Sequence, residues 1–593
     1  MCGQLVTLLD LIQEVAMRLV ECVPNFSDGR NEKVINAIGD AIKGVAGAKL
    51  LDVDPGFSTN RTVVTFVGEP DVVVEAAFQA IATAARLIDM RLHRGEHPRM
   101  GATDVCPFVP VSGVSMEECA ELAERLGKRV GDELDIPVYL YANAAKRADR
   151  ISLADIRKGE YEALPAKMQD DSFVPDFGPR LFNAQSGATV IGARPFLIAY
   201  NVNLNTRSKK LANEIAFSIR EAGKSRKGPD GKALRDEDGN PVKEPGILKA
   251  CRAVGWYVDE YERAQVSINL IDYKVTSLHH AFDECCRQAE LLGLRVTGSE
   301  VVGLVPLEPM LEAGRHYLKK QGRSTGVSEK ELVTVAIQSL GLADLALFDP
   351  AAKIIEYKVR GTEKLLKNKT LAEFSDDLAS DSPAPGGGSV SALCGAMSAS
   401  LSAMVANLTF DKKGFENVKE LMEETASRGQ SVKSTLLAAV DSDTNAFNEI
   451  INARRLPKAT ADEIEVRNKA IYDANVQAIG VPMSVLTASE ELLQLAEVVI
   501  SKGNPNSLSD AGCAVLNAVT AAEGALMNVL INLAGLSAEG DEGQLRKATV
   551  ETSAKKIELV RKKGDSLRLQ VMDKLQADLN VAALPAGKAK EPI

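Results

Sequence analysis

Three absences narrow the reading of this chain before any motif does. Nine cysteines are scattered over 593 residues without C-x-x-C spacing, and Cys285-Cys286 is the one close pair. Such spacing fits reduced thiols and excludes a disulfide framework or a zinc ribbon. A basic surplus is also missing: the net charge of -11 argues against general nucleic-acid binding, so no nucleic-acid partner is expected. No uninterrupted apolar stretch reads as long enough to span a bilayer, and no membrane partner is expected. Residues 1–16 lack the basic start and small-residue cleavage site of a signal peptide. They read as an N-terminal extension before a functional start at Met17, and a cytoplasmic location is expected. What is present is ordinary for a globular chain, with 45% hydrophobic and 25% charged residues. Cores rarely grow past about 250–300 residues, so several domains are expected.

The densest chemistry lies in Arg91-Leu-His93-Arg-Gly-Glu96-His97-Pro98-Arg99-Met-Gly101-Ala-Thr-Asp104, which holds two of the five histidines. Two readings compete. His93-x-x-Glu96-His97 fits an inverted zinc-protease motif, whereas the surrounding residue types suit a loop that carries one catalytic histidine. Ligands at i and i+4 meet one metal only on a helix. Gly95 weakens a helix there, and Pro98 pushes His97 out of the α region. The helix before it is expected to end near Arg91, leaving His97 on a loop and no metal site.

From Arg18 to Tyr141 strand-like and helical stretches alternate, which suggests an α/β sandwich. Strands are expected at 19–23, 49–54, 62–67, 105–111 and 138–141, with helices at 31–42, 71–90 and 115–134. A second α/β unit starts at Pro195, with strands at 195–204, 266–272 and 300–306 and helices at 208–222 and 278–292. Lys224 to Gly246 is charged and turn-rich, an exposed hairpin or excursion. Lys353 to Thr370 reads as a linker without a core face. Beyond Leu371 strand signals nearly vanish, and long helices at 389–408, 415–451, 461–490, 509–535 and 543–584 predict a helical bundle.

Three further features can carry chemistry. Asp171 to Gly187 is rich in turn formers and reads either as a binding loop or as a plain connector. Ser382-Pro-Ala-Pro-Gly386-Gly387-Gly388-Ser389 opens a helix and lacks the ending of a P-loop. It is either an anion site at a helix N-terminus or a flexible cap. Val440-Asp441-Ser-Asp443 lies in mid-helix. Leu436, Val440, Asp443, Phe447 and Ile450 share one stripe, placing Asp443 on the apolar face and Asp441 on the polar one. A carboxylate buried there would have a raised pKa and could act as a general acid, or it could pair with a cation such as Arg467.

Leu19-Val-Glu-Cys-Val-Pro-Asn-Phe-Ser27, Asp52-Val-Asp54, Ser58-Thr-Asn-Arg-Thr62, Gly95-Glu-His-Pro-Arg-Met-Gly101 and Asp104-Val-Cys-Pro-Phe resemble the formiminotransferase domain. Pro385-Gly-Gly-Gly-Ser389 and Val440-Asp-Ser-Asp443 resemble the cyclodeaminase domain. Their order resembles the bifunctional formimidoyltransferase-cyclodeaminase family of histidine breakdown over residues 17 to about 584. The resemblance implies formimino transfer from N-formimino-L-glutamate to tetrahydrofolate with release of glutamate. Cyclisation of the product to 5,10-methenyl-tetrahydrofolate with release of ammonia would follow. It implies His97 as the catalytic histidine, Asp54 as the carboxylate orienting it, and Asp443 as the acid that protonates departing ammonia. The segment Gly178-Pro179-Arg180-Leu181-Phe182-Asn183-Ala184-Gln185-Ser186-Gly187 matches the family's folate-binding stretch. Lys469, Ala470 and Ile471 align with a second one. Arg61 and Arg99 are candidates for substrate carboxylates by their bidentate geometry, which the resemblance does not assign. Polyglutamylated tetrahydrofolate as cosubstrate and a homo-oligomer are further implications. A folate-binding or assembly protein with one inactive site is the other reading.

The expected fold is thus multidomain, α/β plus all-α. Two α/β-sandwich (ferredoxin-like) subdomains precede an up-and-down helical bundle. The expected boundaries are an extension over 1–16, subdomains over 17–195 and 196–350, a linker over 351–370 and a helical domain over 371–593.

Overall fold

The computed structural model describes residues 18–57, 59–95, 97–226, 228, 234–236, 242–360 and 365–579. The extension over 1–16, Ser58, Glu96, part of the 224–246 excursion, residues 361–364 and the chain beyond 579 lie outside the described residues. Chain contacts divide the rest into two units: 18–313 with 336–360, and 314–335 with 365–579.

The first unit begins with β1 (Leu19–Cys22), β2 (Asn25–Phe26), α1 (Glu32–Lys43), β3 (Lys49–Gly56), β4 (Arg61–Gly68), α2 (Pro70–Leu87), β5 (Thr103–Ser112), α3 (Met116–Leu134) and β6 (Val138–Ala142). Helices α4 (Leu153–Arg157) and α5 (Glu160–Lys167) precede β7 (Thr189–Ala193). Local chemistry sets these boundaries. Asn31 caps α1 by accepting from Lys33 N, and Ser115 with Glu118 forms a capping box on α3. The apolar face of α1 buries Val34, Ile35, Ile38 and Ile42 as its spacing predicts.

These strands form a seven-stranded sheet. β1 and β2 act as one strand interrupted at Val23-Pro24, because each pairs antiparallel with β4 and β5. With β3 outside β4, the spatial order is β3-β4-β1/β2-β5, the ferredoxin-like order of a βαββαβ unit. β7 and β6 extend it by parallel pairing beyond β5.

The second ferredoxin-like set comprises β8 (Ile198–Leu204), α6 (Lys209–Ile219), β9 (Lys224–Ser225), β10 (Lys243–Glu244), β11 (Cys251–Val258), β12 (Arg263–Leu270), α7 (Leu278–Leu291) and β13 (Val296–Val302). Its sheet runs β11-β12-β8-β13. The 224–246 excursion is an exposed hairpin at its described base, where β9 pairs with β10. Strand β11 carries a weak sequence signal: its buried positions Cys251, Ala253 and Gly255 are small, alternating with exposed Trp256.

Helices α8 (Leu307–Lys320), α9 (Glu329–Ser339), α10 (Pro350–Lys353) and α11 (Ile355–Arg360) follow. The expectation that Lys353 onward lacks a core face is corrected: Ile354 and Ile355 are fully buried, and Ile354 bridges to Val305. Basic residues at every few positions masked a two-residue apolar contact.

The second unit contains α12 (Leu371–Leu378), α13 (Gly387–Phe410), α14 (Lys419–Arg455), α15 (Ala461–Lys502), α16 (Leu508–Asn532) and α17 (Gly540–Leu579). Its core runs through Ala392, Ala396, Leu436, Leu486, Leu493, Ala518 and Val560. Ala, Ser and Gly on α13 allow the close approach of α14 and α16. The absence of long apolar stretches is also corrected. Gly387–Phe410 and Pro505–Gly535 are each long and apolar enough, at mean hydropathy 1.5, to cross a membrane by length and composition. Ala, Val, Leu and Met supply that character on α13 in spite of scattered Ser and Asn, and 61% of its apolar window is buried inside the bundle.

Replacing Ile355 by Ala tests the corrected role of this segment. It should destabilise the α/β unit by about 2–5 kcal/mol, as for other buried aliphatic truncations. A linker residue would leave the denaturant midpoint of that unit unchanged.

Candidate active sites

The first site is built where the β3–β4 turn meets the loop after α2. That helix ends at Leu87, earlier than expected, and His93 and His97 lie in a non-helical stretch. Gly95 permits the contact between turn and loop, because a Cβ there would lie 2.2 Å from Thr59 O. Asn60 clasps both sides: its Nδ2 donates to Arg94 O (3.0 Å), and its Oδ1 accepts from Gly29 N (3.0 Å).

His93 is a buried brace. Arg99 Nε donates to its Nδ1 at 3.1 Å, so the ring proton sits on Nε2 and reaches Asn60 O at 2.9 Å. Burial, with Arg99 beside it, holds the His93 pKa below the usual imidazole range. The expectation that Arg99 serves a substrate carboxylate is corrected. Its Nη1 bonds Glu160 (2.7 Å) and Glu162 (2.9 Å), and Nη2 bonds Glu162 (2.7 Å). With Nε on His93, that guanidinium has no fork left for a ligand.

His97 is partly exposed, and Arg61 Nη1 donates to its Nε2 at 2.6 Å. Since a guanidinium only donates, Nε2 must accept and the ring is neutral. Burial, followed by the charges of Arg61 and Arg157, pushes the His97 pKa down to about 4. Arg157 is itself held by fully buried Asp104 through a two-pronged pair. Arg61 Nε is buried without a partner, and at His97 Nδ1, which makes no close bond, only the Pro98 backbone favours the charged ring. Asp54 is exposed on β3 and acts on Arg61 through its charge. The side chain bonded to His97 in this geometry is therefore Arg61, and no hydrogen bond from Asp54 to His97 occurs among the described residues.

The Gly178–Gly187 segment is docked against this loop. Gly178 and Gly187 take left-handed backbone at φ 80° and 68°, which suits glycine. Gly101 bridges to Gly187, Met90 N donates to Gln185 O (2.9 Å), and Ala102 N to Ser186 O (2.8 Å). Tyr161 donates to Ala184 O at 2.5 Å, and its ring lies 5.3 Å from that of Phe182. Asn183 Oδ1 accepts from Gln185 N and Ser186 N. Arg180 is tied back to Met168, Gln169 and Asp171, while Pro179 is partly exposed and Leu181 is 71% exposed. An ordered backbone with Leu181 free and Phe182 half-buried can offer apolar contact beside polar groups.

The second site lies where α13 begins against α14. A Cβ on Gly388 would stand 2.0 Å from Asp443 Oδ1, so only glycine lets this carboxylate reach the helix N-terminus. Buried Ser389 Oγ lies 2.9 Å from Asp443 Oδ2, and the Ser389 backbone also bonds the carboxylate. The anion facing these N–H groups is thus Asp443 itself. Gly387 abuts Asn528 of α16, and Gly386 caps the helix. Burial raises the Asp443 pKa above the ordinary carboxylate value, against the lowering effect of the Ser389 bonds.

The stripe argument for Asp443 is corrected in part. Leu436 and Val440 are buried, but Phe447 is 36% exposed while its neighbour Ala446 is buried, so the buried face of α14 has turned by that point. Asp441 is the more buried of the pair at 8% exposed, and its Oδ1 accepts from Leu366 N at 2.6 Å. Arg467 donates to Arg454 O, so it is not the cation of an Asp443 pair. Exposed Lys469, with Ala470 and Ile471, lies on α15. Ala470 lines a cavity of about 290 Å³ with Glu449, Asn452, Asp473 and Gln477. Glu449 is six residues beyond Asp443, about 9 Å along the helix.

Sequence reasoning missed Arg157, Glu160, Glu162 and Asn528, and held Asn60 only as part of the Ser58–Thr62 motif. Each reaches its site through a contact far along the chain.

Comparison with known proteins came to three family models and several relatives. The model described as formiminotransferase domain, N-terminal subdomain, matches residues 19–194, and formiminotransferase domain matches 199–360. Formiminotransferase-cyclodeaminase matches 370–579. A formimidoyltransferase-cyclodeaminase of Gallus gallus is 43% identical over 94% of this chain and 100% of its own length. One from Rattus norvegicus is 44% identical over 87% and 92%. A glutamate formimidoyltransferase of Streptococcus pyogenes serotype M1 is 39% identical over 51% of this chain and 94% of its own.

The geometry can be tested at both centres. Arg99→Met should destabilise the first unit by roughly 2–3 kcal/mol in thermal unfolding. That is below the 3–5 expected of a fully buried pair, because Glu162 is 61% exposed. A ligand-binding arginine would instead change only substrate KM. Ser389→Ala removes a donor to ionised Asp443, so carbon-13 titration should find that carboxyl with a still higher pKa; a fall would contradict the assignment.

Proposed function

The chain belongs to the formiminotransferase-cyclodeaminase family, and on that premise we propose how its two sites divide a sequential folate reaction. The enzyme transfers the formimino group of N-formimino-L-glutamate to tetrahydrofolate, releasing L-glutamate. It then cyclises 5-formimino-tetrahydrofolate to 5,10-methenyl-tetrahydrofolate, releasing ammonia.

His97 serves the transfer. As folate N5 bonds to the amidine carbon, the imidazole Nε2 takes the N5 proton. The same proton goes to the glutamate nitrogen as its bond to carbon breaks, so the histidine returns neutral. The observation that carries this reading is the neutral ring presented on a braced loop, with its acceptor nitrogen turned to Arg61. Buried Nδ1 has no close partner and only the Pro98 backbone favours the charged ring, so an imidazolium would gain from a carboxylate acceptor. Asp54, whose charge already reaches Arg61 beside the ring, supplies it in the loaded site. Arg61 takes a substrate carboxylate, and Gly178–Gly187 holds the folate.

Asp443 serves cyclisation. Folate N10 attacks the formimino carbon and its proton passes to the formimino nitrogen. Asp443 gives the second proton, and the C–N bond breaks to release ammonia. Burial keeps a proton available on this carboxyl longer than on an exposed one, and Ser389 restrains its position. The reading extends to Lys469–Ile471 as a folate contact, to a polyglutamylated cosubstrate, to a homo-oligomer and to a cytoplasmic place of action. The first three rest on the resemblance, and the last on scattered cysteines and a start without signal-peptide features.

The test is one assay that follows glutamate, ammonia and methenyl-folate absorbance. His97→Ala should lose glutamate release by a factor of about 10²–10⁴, the usual scale of general acid–base catalysis. It should still cyclise supplied 5-formimino-tetrahydrofolate. Asp443→Ala should do the reverse, and Asp54→Asn should slow transfer alone. A folded variant at either position that lost both reactions would refute the division.

A further inference from the structure

The bond that makes His97 neutral also makes it unavailable. Arg61 sits at the first position of β4, opposite Gly56 of β3, and its Nη1 occupies the one lone pair of His97 Nε2. A nitrogen that accepts from a guanidinium at 2.6 Å cannot take a proton from anything else. Arg61 is meanwhile poorly satisfied: its Nε is buried without a partner. The carboxylates around the pair are bonded to other arginines or stand at the rim. Arg157 and Arg61 face His97 with Glu160 as the opposing carboxylate, and Arg61 is further acted on by Asp104 and Asp54. Asp104 is already spent on Arg157, and Asp54 points from an exposed strand position.

We propose that Arg61 is a substrate-operated guard on His97: a carboxylate of the incoming formimino donor takes the guanidinium, and Nε2 is released only then. This rests on the transferase reading and adds an order to it. Without the donor the base is capped, so tetrahydrofolate alone meets no free acceptor for its N5 proton. With the donor bound, an anion neutralises Arg61, the cationic field on His97 weakens, and the ring can hold the proton between N5 and the departing amine. Nothing is transferred in the release itself. One hydrogen-bond donor, Nη1, exchanges an imidazole nitrogen for a carboxylate oxygen. Bidentate carboxylate binding by Nη1 and Nη2, the two terminal nitrogens of the guanidinium, would draw Nη1 off the imidazole.

The full chain labelled with carbon-13 histidine tests this, with His97 assigned by its loss in His97→Gln. L-glutamate, the dicarboxylate product, is the probe. The His97 titration midpoint should lie near 4 in the free enzyme. It should rise by about one pH unit or more at saturating L-glutamate, the scale on which one charge contact moves a pKa. In Arg61→Gln the free-enzyme midpoint should already be raised and should no longer respond to L-glutamate. The KM for formiminoglutamate should rise at least about tenfold, the scale of a lost charge-assisted pair, and Arg61→Lys should recover part of it. A wild-type midpoint that ignores bound L-glutamate would overturn the proposal without needing any variant. So would an Arg61→Gln enzyme, folded by circular dichroism, that titrates like wild type. An enzyme that shows the shift yet transfers no formimino group would overturn the transferase reading and leave the guard standing.

Discussion

The first site depends on the four hydrogen bonds of Arg99. A buried guanidinium joins two carboxylates at the start of α5 to His93 in the loop after α2. Tyr161, between those carboxylates, donates its backbone N–H to Arg99 O and its hydroxyl to Ala184 O. The His97 loop, the α5 start and the Gly178–Gly187 segment are therefore one hydrogen-bonded assembly. A loop without secondary structure can hold a catalytic group only if something else fixes its backbone. Here a charge network does so, while Gly95 brings the β3–β4 turn within reach.

The second site meets the same requirement by other means. Asp443 is carried on a long helix and needs no loop to be braced. It needs room against another helix, which the missing Cβ of Gly388 gives, and a donor, which Ser389 supplies. Both sites hold an ionisable group part-way between water and core, with its proton affinity set by burial and by one partner. At His97 burial and cations act together and favour the neutral base. At Asp443 burial favours the neutral acid while Ser389 opposes it. Burial thus favours the neutral form at both groups, which is a base at His97 and an acid at Asp443.

Much of this was legible in the sequence because it is local. Gly95 and Pro98 speak against a helix within a few residues of His97, and the chain is indeed non-helical there. The alternation of β4 and the spacing of α1 likewise give element type and buried face. What the sequence concealed is long-range. Arg99 reads as a free carboxylate binder until Glu160 and Glu162, 61 and 63 positions later, take it. Ile354 and Ile355 read as linker because their partners lie elsewhere. The stripe through Asp443 assumed one unchanging buried face along α14, whereas Ala446 is buried beside an outward Phe447. Periodicity reports a face, and only packing says which face a neighbour covers.

The central claim is that two separate centres act in sequence on a shared folate intermediate. Mixing equal amounts of the folded His97→Ala and Asp443→Ala enzymes with formiminoglutamate and tetrahydrofolate tests it most directly. The account predicts that the mixture forms methenyl-folate and ammonia, although neither variant does so alone. A mixture that stays silent, while the first variant still cyclises supplied 5-formimino-tetrahydrofolate and the second still releases glutamate, would contradict it.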